Sequence, residues 1–268
     1  MCTLIIARDV LGPGSLLIGA NRDEDPARVS EAPLRLAQHV VGGRDLVGGG
    51  TWLAIRDGRS VVAVLNRRGS KSTTPPGSLR SRGMLALDVA CTAPGVTDDE
   101  AFARAALTTA LTALSSQRYA PFSLACVTPA GGWVLPYNGV ETTNPLTIEP
   151  GWHVLTHGDL DDAAEPRTLR LARKLVRYQP HTTGEAETKV LELLSLHGTY
   201  GEGTPPPPDA PEDGPAAADR AAVCIHEGRM VTVSTSLFRL SRAGARYIHI
   251  EGRPCTTPPR DVSSLLTS

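Results

Sequence analysis

The chain has 268 residues and a formal net charge of -1, from 27 Lys and Arg against 28 Asp and Glu. Without a basic excess and with only 4% aromatic residues, it has little to offer a phosphate backbone or unstacked bases, so nucleic-acid binding is disfavoured. The apolar runs are too short for a membrane span, and the run at residues 4–7 is too short for a signal peptide. We therefore expect a cytoplasmic protein.

Two β-hairpins are predicted in the first 66 residues. Gly12-Pro13-Gly14 is a turn sequence in the first, and Asp57-Gly58 is a strong hairpin signal in the second. The predicted strands are residues 2–8 and 15–20, then 51–55 and 60–66.

The hairpin turns also predict a register, because paired positions in an antiparallel hairpin sum to a constant, here about 23 for the first hairpin and about 116 for the second. Cys2 then lies opposite Asn21, and Asn66 lies opposite Gly50. A slip of one residue would change which side chains face Cys2.

Helices are predicted in the middle of the chain and strands return at its end. The predicted helices are residues 81–91, 98–114, 165–178 and 185–197, the second capped by Thr97 or Asp98. The later strands are predicted at 122–128, 133–137, 152–156, 221–226, 230–240 and 246–250. This segregation favours an α+β fold with mainly antiparallel sheet, as one domain over 1–268 with a Pro-rich loop at 201–218. A Rossmann fold is disfavoured, since no G-x-G-x-x-G follows a strand.

Five widely spaced cysteines without a C-x-x-C pair indicate neither a disulfide framework nor a zinc ribbon. Cys91, Cys126 and Cys224 lie in apolar segments and are predicted to be buried small hydrophobes. His153 and His157 are four apart on a predicted strand, which separates them by about 13 Å along one face and disfavours a two-histidine metal site. We therefore predict no metal.

Cys2 is different, because removal of Met1 would give one residue both a thiol and a free α-amine. An α-amine has a pKa of about 7.7–8.0, so near neutral pH it can serve as a base for the adjacent nucleophile. The predicted register brings the segment Asn21-Arg22-Asp23-Glu24 next to it. Asn66 beside a Gly-rich segment offers oxyanion donors, although a turn-capping asparagine beside flexible glycines explains that segment as well.

These residues resemble the NRDE-motif family, whose eukaryotic members are called transport and Golgi organisation protein 2. The matching blocks are Met1-Cys2, Ala20-Asn21-Arg22-Asp23-Glu24, Gly42-Gly43-Arg44-Asp45, Gly49-Gly50-Thr51-Trp52-Leu53 and Val64-Leu65-Asn66-x-Arg68. They cover about the first quarter of the chain, and Ser81-Arg82-Gly83 before a helix is compatible. For Arg44 and Asp45, a structural ion-pair network around tight turns is an equally good explanation.

The family is distantly similar to N-terminal cysteine hydrolases of the penicillin V acylase and bile-salt hydrolase type, which implies a four-layer αββα sandwich. By that resemblance Cys2 is the nucleophile, Asp23 holds the α-amine and Asn66 binds the oxyanion. Asn21 and Arg22 complete the pocket, and we add Trp52 and His157 as substrate-binding candidates. His157 stands where those hydrolases usually carry a second Asn.

The function implied is hydrolysis or acyl transfer at a C–N amide or related acyl bond of a small molecule, without a cofactor. The alternative is a non-catalytic haem or lipid binding and trafficking protein on the same fold, since eukaryotic relatives are connected with haem and lipid homeostasis. No C-x-x-C-H haem attachment motif is present.

Overall fold

A computed structural model describes residues 2–67, 76–198 and 221–267. Met1, Arg68 and the predicted Pro-rich loop at 201–218 lie outside these residues. The strands are β1 Thr3–Arg8, β2 Leu16–Glu24, β3 Ser30–Ala37, β4 Val40–Asp45, β5 Leu53–Arg56, β6 Ser60–Asn66, β7 Phe122–Thr128, β8 Gly131–Tyr137, β9 Leu146–Thr147, β10 Gly151–Leu155, β11 Val231–Ser241, β12 Gly244–Ile250 and β13 Arg260–Asp261.

These strands form two antiparallel sheets. Sheet A has the order β10-β1-β2-β11-β12-β13, and sheet B has the order β3-β4-β5-β6-β7-β8-β9. The second hairpin pairs Leu53 with Ala63, which confirms its predicted register.

Four helices cover the sheets: α1 Arg82–Ala90, α2 Asp99–Ser116, α3 Pro166–Leu175 and α4 Thr183–Leu194. Asp98 caps α2, where its carboxylate accepts from the backbone N–H of Ala101. A 3₁₀ turn at Ser263–Leu266 follows the last strand. Among the described helices, none combines the length and the apolar character needed to cross a bilayer.

Three apolar clusters fill the spaces between four layers. One joins α1 and α2 to sheet B, one joins the two sheets, and one joins sheet A to α3 and α4. Because side chains alternate along a strand, β2 contributes to two of these clusters. Ile18 and Ala20 face sheet B, whereas Leu17 faces the helices. The layers are therefore αββα, which confirms the predicted fold class.

Two local predictions are wrong. Residues 221–226 form turns and bends instead of a strand, and their backbone donors bond to loop and side-chain oxygens: Val223 and Cys224 to the carbonyl of Leu196, and Ile225 to Thr232 Oγ1. The register of the first hairpin is also shifted by one residue. Its turn is closed by a bond from the Asp9 N–H to the Ser15 carbonyl, so it is centred on Gly12.

Candidate active site

The shifted register changes the neighbours of Cys2. Thr3 pairs with Asn21 and Leu4 with Ala20, so the ladder continues to Cys2 beside Arg22, not beside Asn21 as predicted. On the other side of β1, Leu4 pairs with Leu155, so the same continuation leads to His157. Paired residues share a sheet face, which puts Cys2 on the face toward sheet B.

Cys2 packs at the margin of the inter-sheet cluster together with Trp52. The Arg22 guanidinium lies 4.3 Å from the centroid of a Trp52 ring, within cation–π range. A glycine at 43 makes this possible, because a Cβ there would stand 2.3 Å from the indole. Arg22 is buried, and its Nη2 is 3.6 Å from Asp45 Oδ2 and 3.9 Å from Glu24 Oε2.

Burial raises the pKa of the Cys2 thiol. A hydrogen bond from the backbone N–H of Asp23 and the charge of Arg22 oppose this by favouring the thiolate. Burial also lowers the pKa of the Arg82 guanidinium, and the proximity of Cys2 opposes that shift. Two arginines from different layers therefore share the electrostatic environment of one thiol.

Arg82 is a site residue that the sequence did not assign. It begins α1, and its Nη1 donates to the carbonyl of Pro121 at 2.9 Å, which also accepts from the backbone N–H of Arg67 at 3.3 Å. This carbonyl ties the start of α1 to the end of β6. Asn66, the last residue of β6, pairs with Phe122 on the sheet face toward α1, so the predicted oxyanion donor lies beside the segment that carries Arg82.

A close backbone contact fixes α1 against the Gly-rich loop at 48–51. Gly50 has φ +73°, and a Cβ there would lie 2.2 Å from the Gly83 carbonyl. The Thr51 N–H donates to that carbonyl at 3.0 Å. The glycine in this loop is thus required both by the left-handed backbone and by the close approach of the helix.

The Asp23 side chain points toward the helices. Oδ2 accepts from Arg167 Nη1 at 3.0 Å and Oδ1 accepts from Thr232 Oγ1 at 2.7 Å, while Arg167 also donates to Thr3 Oγ1 at 2.9 Å. Burial raises the pKa of Asp23, and the charge of Arg167 opposes this. Asp23 therefore acts on Cys2 through its backbone N–H, which lowers the pKa of the thiol, and through the charge of its carboxylate, which raises that pKa. The same carboxylate anchors α3.

Asn21 lies on the same helix-facing side. Its Nδ2 donates to the carbonyls of Leu194 and Val223, and its Oδ1 accepts from Thr235 Oγ1. The structure does not bring this amide into the cluster around Cys2. Its contacts hold the end of α4 and residue 223 against sheet A.

His157 follows β10 and is buried, with Nε2 3.3 Å from Glu165 Oε1. Glu165 also accepts from Thr156 Oγ1 at 3.2 Å and caps α3. The next residue, Gly158, accepts from Arg67 Nη1 at 2.7 Å. The end of β10 is thereby joined to the end of β6 across the two sheets.

The remaining charged residues of the motif blocks form ion pairs. Asp45 Oδ2 is 2.8 Å from Arg28 Nε, and Glu24 Oε2 is 3.7 Å from the same nitrogen. The Arg44 side chain is 42% exposed, and its Nη1 lies 3.5 Å from Glu31 Oε2. An open groove of about 590 Å³ lies beside these ion pairs. Its lining residues are Glu24, Asp25, Ala27, Arg28, Val47, Arg229 and Met230.

The model of the family described as Transport and Golgi organisation 2 matches residues 1–226. The chain belongs to this family. No curated protein gives a significant match to the chain.

Two solved structures, of an amidase and of an acylase, share the fold of this family member, and a third structure is less similar. A Caenorhabditis elegans N-acylethanolamine-hydrolyzing acid amidase ortholog gives a TM-score of 0.55 at 16% identity, over 88% of this chain and 92% of that chain. Penicillin V acylase from Agrobacterium tumefaciens gives 0.53 at 12% identity, over 100% and 88%. A C2A mutant of the conjugated bile acid hydrolase from Clostridium perfringens gives 0.49 at 12% identity, over 98% and 93%.

Proposed function

We propose that this protein is an N-terminal cysteine hydrolase or acyltransferase that acts on a C–N amide or related acyl bond of a small molecule. The observation that carries the proposal is the environment of Cys2, whose thiol meets the Asp23 backbone N–H and the charges of two arginines. The likeness to amidases and acylases supports the same fold, and its low sequence identity leaves the substrate open to experiment.

In the proposed reaction, Met1 is first removed and the α-amine of Cys2 becomes the base. The amine takes the thiol proton, the sulfur attacks the acyl carbon, and the carbonyl electron pair moves to oxygen. Collapse of this intermediate expels the amine, which receives the proton from the ammonium, and leaves a thioester on Cys2. Water hydrolyses the thioester, or an acceptor amine takes the acyl group.

We assign oxyanion stabilisation to Asn66, with Arg82 as a positioning and charge-stabilising neighbour. A side-chain donor aimed at a developing oxyanion contributes about 10²–10³ in kcat. Asn66→Ala should lower kcat by that factor with little change in KM, because the interaction is made mainly in the transition state. A change confined to KM would assign Asn66 to substrate binding instead.

Arg22 and Trp52 are proposed to receive the substrate, and Asp23 to orient the α-amine. The stacked guanidinium and indole offer a charged edge and an apolar face at the same place. Asn21 and His157 contribute indirectly, through the segments that they hold in place. We also propose the cytoplasm as the location, because the described cysteines are free thiols, as a reducing compartment requires.

The test is hydrolysis of a panel of acyl p-nitroanilides of increasing chain length by the full-length protein. The wild type should release p-nitroaniline, and Cys2→Ala should not. Cys91→Ala is the matched control, because Cys91 is a half-buried thiol at the C-terminal end of α1. Turnover by Cys2→Ala equal to that of the wild type would refute the nucleophile.

A further inference from the structure

Four side chains that commonly bind metals converge on the helix-facing side of sheet A, on the opposite face of the sheet from Cys2. They are His197, Cys224, His226 and Cys255, and their ligand atoms all lie within 4.8 Å of one another. The two sulfurs are 3.6 Å apart, and His226 Nε2 is 3.1 Å from Cys255 Sγ. The rings of the two histidines meet edge to face with centroids 4.7 Å apart.

We propose that this cluster is a structural zinc site with two cysteine and two histidine ligands. Zinc prefers four nitrogen and sulfur ligands in tetrahedral geometry, with bonds of about 2.3 Å to sulfur, which places two thiolate ligands about 3.8 Å apart. The observed sulfur separation is close to that distance, so small side-chain adjustments suffice. This ligand set excludes magnesium and calcium, which require oxygen ligands.

Charge and protons balance in the binding reaction. One Zn²⁺ replaces the protons of two thiols, which pass to solvent, and two neutral imidazoles complete the shell. The product has two thiolates against two positive charges and is therefore neutral, which suits the buried Cys224. His197 is exposed and provides an entry path for the ion.

The ligands come from three separate segments, which the backbone already holds together. His197 follows α4, Cys224 and His226 lie in the turns at 221–226, and Cys255 lies in the turn after β12. The Cys224 N–H donates to the Leu196 carbonyl at 2.9 Å, and Arg253 Nη2 donates to the His226 carbonyl at 3.1 Å. Because no two of these segments are neighbours in sequence, ligand spacing could not reveal the site.

The position of the cluster gives the metal a role in supporting β2. Ile225, between two ligands, donates its N–H to Thr232 Oγ1 at 2.9 Å, and that hydroxyl donates to Asp23 Oδ1. Val223 accepts from Asn21 Nδ2 at 2.9 Å. A zinc ion would thus fix the segment that holds the helix-facing side chains of β2.

The test is metal binding by the full-length chain, stripped with a chelator under reducing conditions and titrated with Zn²⁺ against a chromophoric chelator. We expect one tightly bound zinc per chain. Co²⁺ in its place should give thiolate charge-transfer absorption and the intense visible bands of a tetrahedral site. Bound zinc should also raise the thermal midpoint of unfolding.

Variants decide whether the cluster is the site. Cys255→Ser and His226→Ala should lose stoichiometric zinc and the cobalt charge-transfer signal, while Cys91→Ser keeps both. His197→Gln changes an exposed ligand, so it should weaken zinc binding in a chain that remains folded. The proposal is overturned if wild type and Cys255→Ser bind zinc equally, or if the reduced wild type binds no zinc.

Discussion

Side chains of the segment from Asn21 to Glu24 in β2 point alternately to two faces of the sheet, and the two faces have different roles. Asn21 and Asp23 point toward the helices, and their polar side-chain atoms form hydrogen bonds with α3, α4 and β11. Arg22 points toward sheet B, where it covers Trp52 beside Cys2. One short motif therefore contains anchors on its odd positions and site chemistry on an even position.

This division follows from the period of a strand and from burial. Successive side chains face opposite layers, so the side chains of Asn21 and Asp23 do not pack with Arg22 and Trp52. Asp23 still contributes to the site, because its backbone N–H points at the Cys2 sulfur. The comparison predicts that helix-facing changes act mainly on stability and that sheet-facing changes act mainly on reactivity.

The largest effect on stability is expected from Asp23→Ala on the helix-facing side. It leaves Arg167, which is 1% exposed, without its carboxylate partner. Removing one member of a buried ion pair costs about 3–5 kcal/mol, so urea unfolding should show a loss of that order.

Two further variants serve as its controls. Glu31→Ala removes an exposed partner of Arg44 and should cost less than about 1 kcal/mol. Asp23→Ala combined with Arg167→Met should cost less than the sum of the single changes, since no buried charge is left unpaired. If Asp23→Ala lost as little stability as Glu31→Ala, the Asp23–Arg167 pair would not be an anchor.

On the sheet-facing side, His249 should make the stability depend on pH. Burial lowers its pKa from 6.5 to about 4, and it pairs with Ser236, which in turn pairs with Ala20. Between these pKa values the unfolded chain binds the proton and the folded chain does not. The stability contributed by His249 is therefore complete above pH 6.5 and is lost as pH falls toward 4.

Over this pH range, the free energy of unfolding falls by a value on the order of 3 kcal/mol. Urea unfolding at a series of pH values should show a shallower decline for His249→Gln than for the wild type across this window. His181→Gln, at an exposed position, should follow the wild type. Parallel curves for the wild type and His249→Gln would contradict a neutral buried imidazole.

Gly50→Ala tests whether the loop supports α1 and, through it, Arg82. The new Cβ combines left-handed backbone strain with a collision against Gly83, so we expect a loss of about 2 kcal/mol or more. Gly14→Ala is a matched control, since it has the same φ of +73° and no atom within 4 Å of the added Cβ.

The difference between the two glycine variants isolates the contact with α1. Gly50→Ala should also reduce turnover of any acyl p-nitroanilide that the wild type hydrolyses, while Gly14→Ala should not. Equal losses of stability would mean that only the backbone dihedral matters at residue 50.

The smallest effect is expected from Arg22→Leu, measured as the rate of Cys2 alkylation by iodoacetamide. Because the Arg22 charge favours the thiolate, its removal should raise the pKa of Cys2 further and slow alkylation severalfold near pH 8. Arg22→Lys keeps the charge and should retain most of the rate, and Arg44→Leu should leave it unchanged. An unaltered rate in Arg22→Leu would remove Arg22 from the environment of the thiol.

The sequence predicted the fold best where local signals are strong. Asp57-Gly58, both with positive φ, fix the register of the second hairpin, and the alternation of strand residues fixes which face is buried. The longer first turn carries no such constraint, which explains the error of one residue. The sequence does not predict β3 and β4 as separate strands, because Pro33 and Gly42-Gly43 interrupt the pattern of strand-forming residues.

The candidate site was predicted only in part, because its members meet across layers. Cys2, Arg22 and Trp52 come together as the motif indicated. Arg82 lies near these residues because α1 packs on the Gly-rich loop. Asn21 lies outside the cluster because the register of the first hairpin differs by one residue from the prediction. Neither effect is visible in residue types or spacing.

The most direct test of the central claim is to trap the acyl group and locate it. The full-length protein, with its N-terminus checked by intact mass, is exposed briefly to an acyl p-nitroanilide that it hydrolyses, quenched in acid and mapped by peptide mass spectrometry. A matched chain with one Lys inserted between Met1 and Cys2 keeps the thiol but denies it a free α-amine. We predict a thioester on Cys2 of the processed chain and none in the blocked chain. Equal acylation of both chains, or acylation of a different cysteine, would contradict an N-terminal nucleophile.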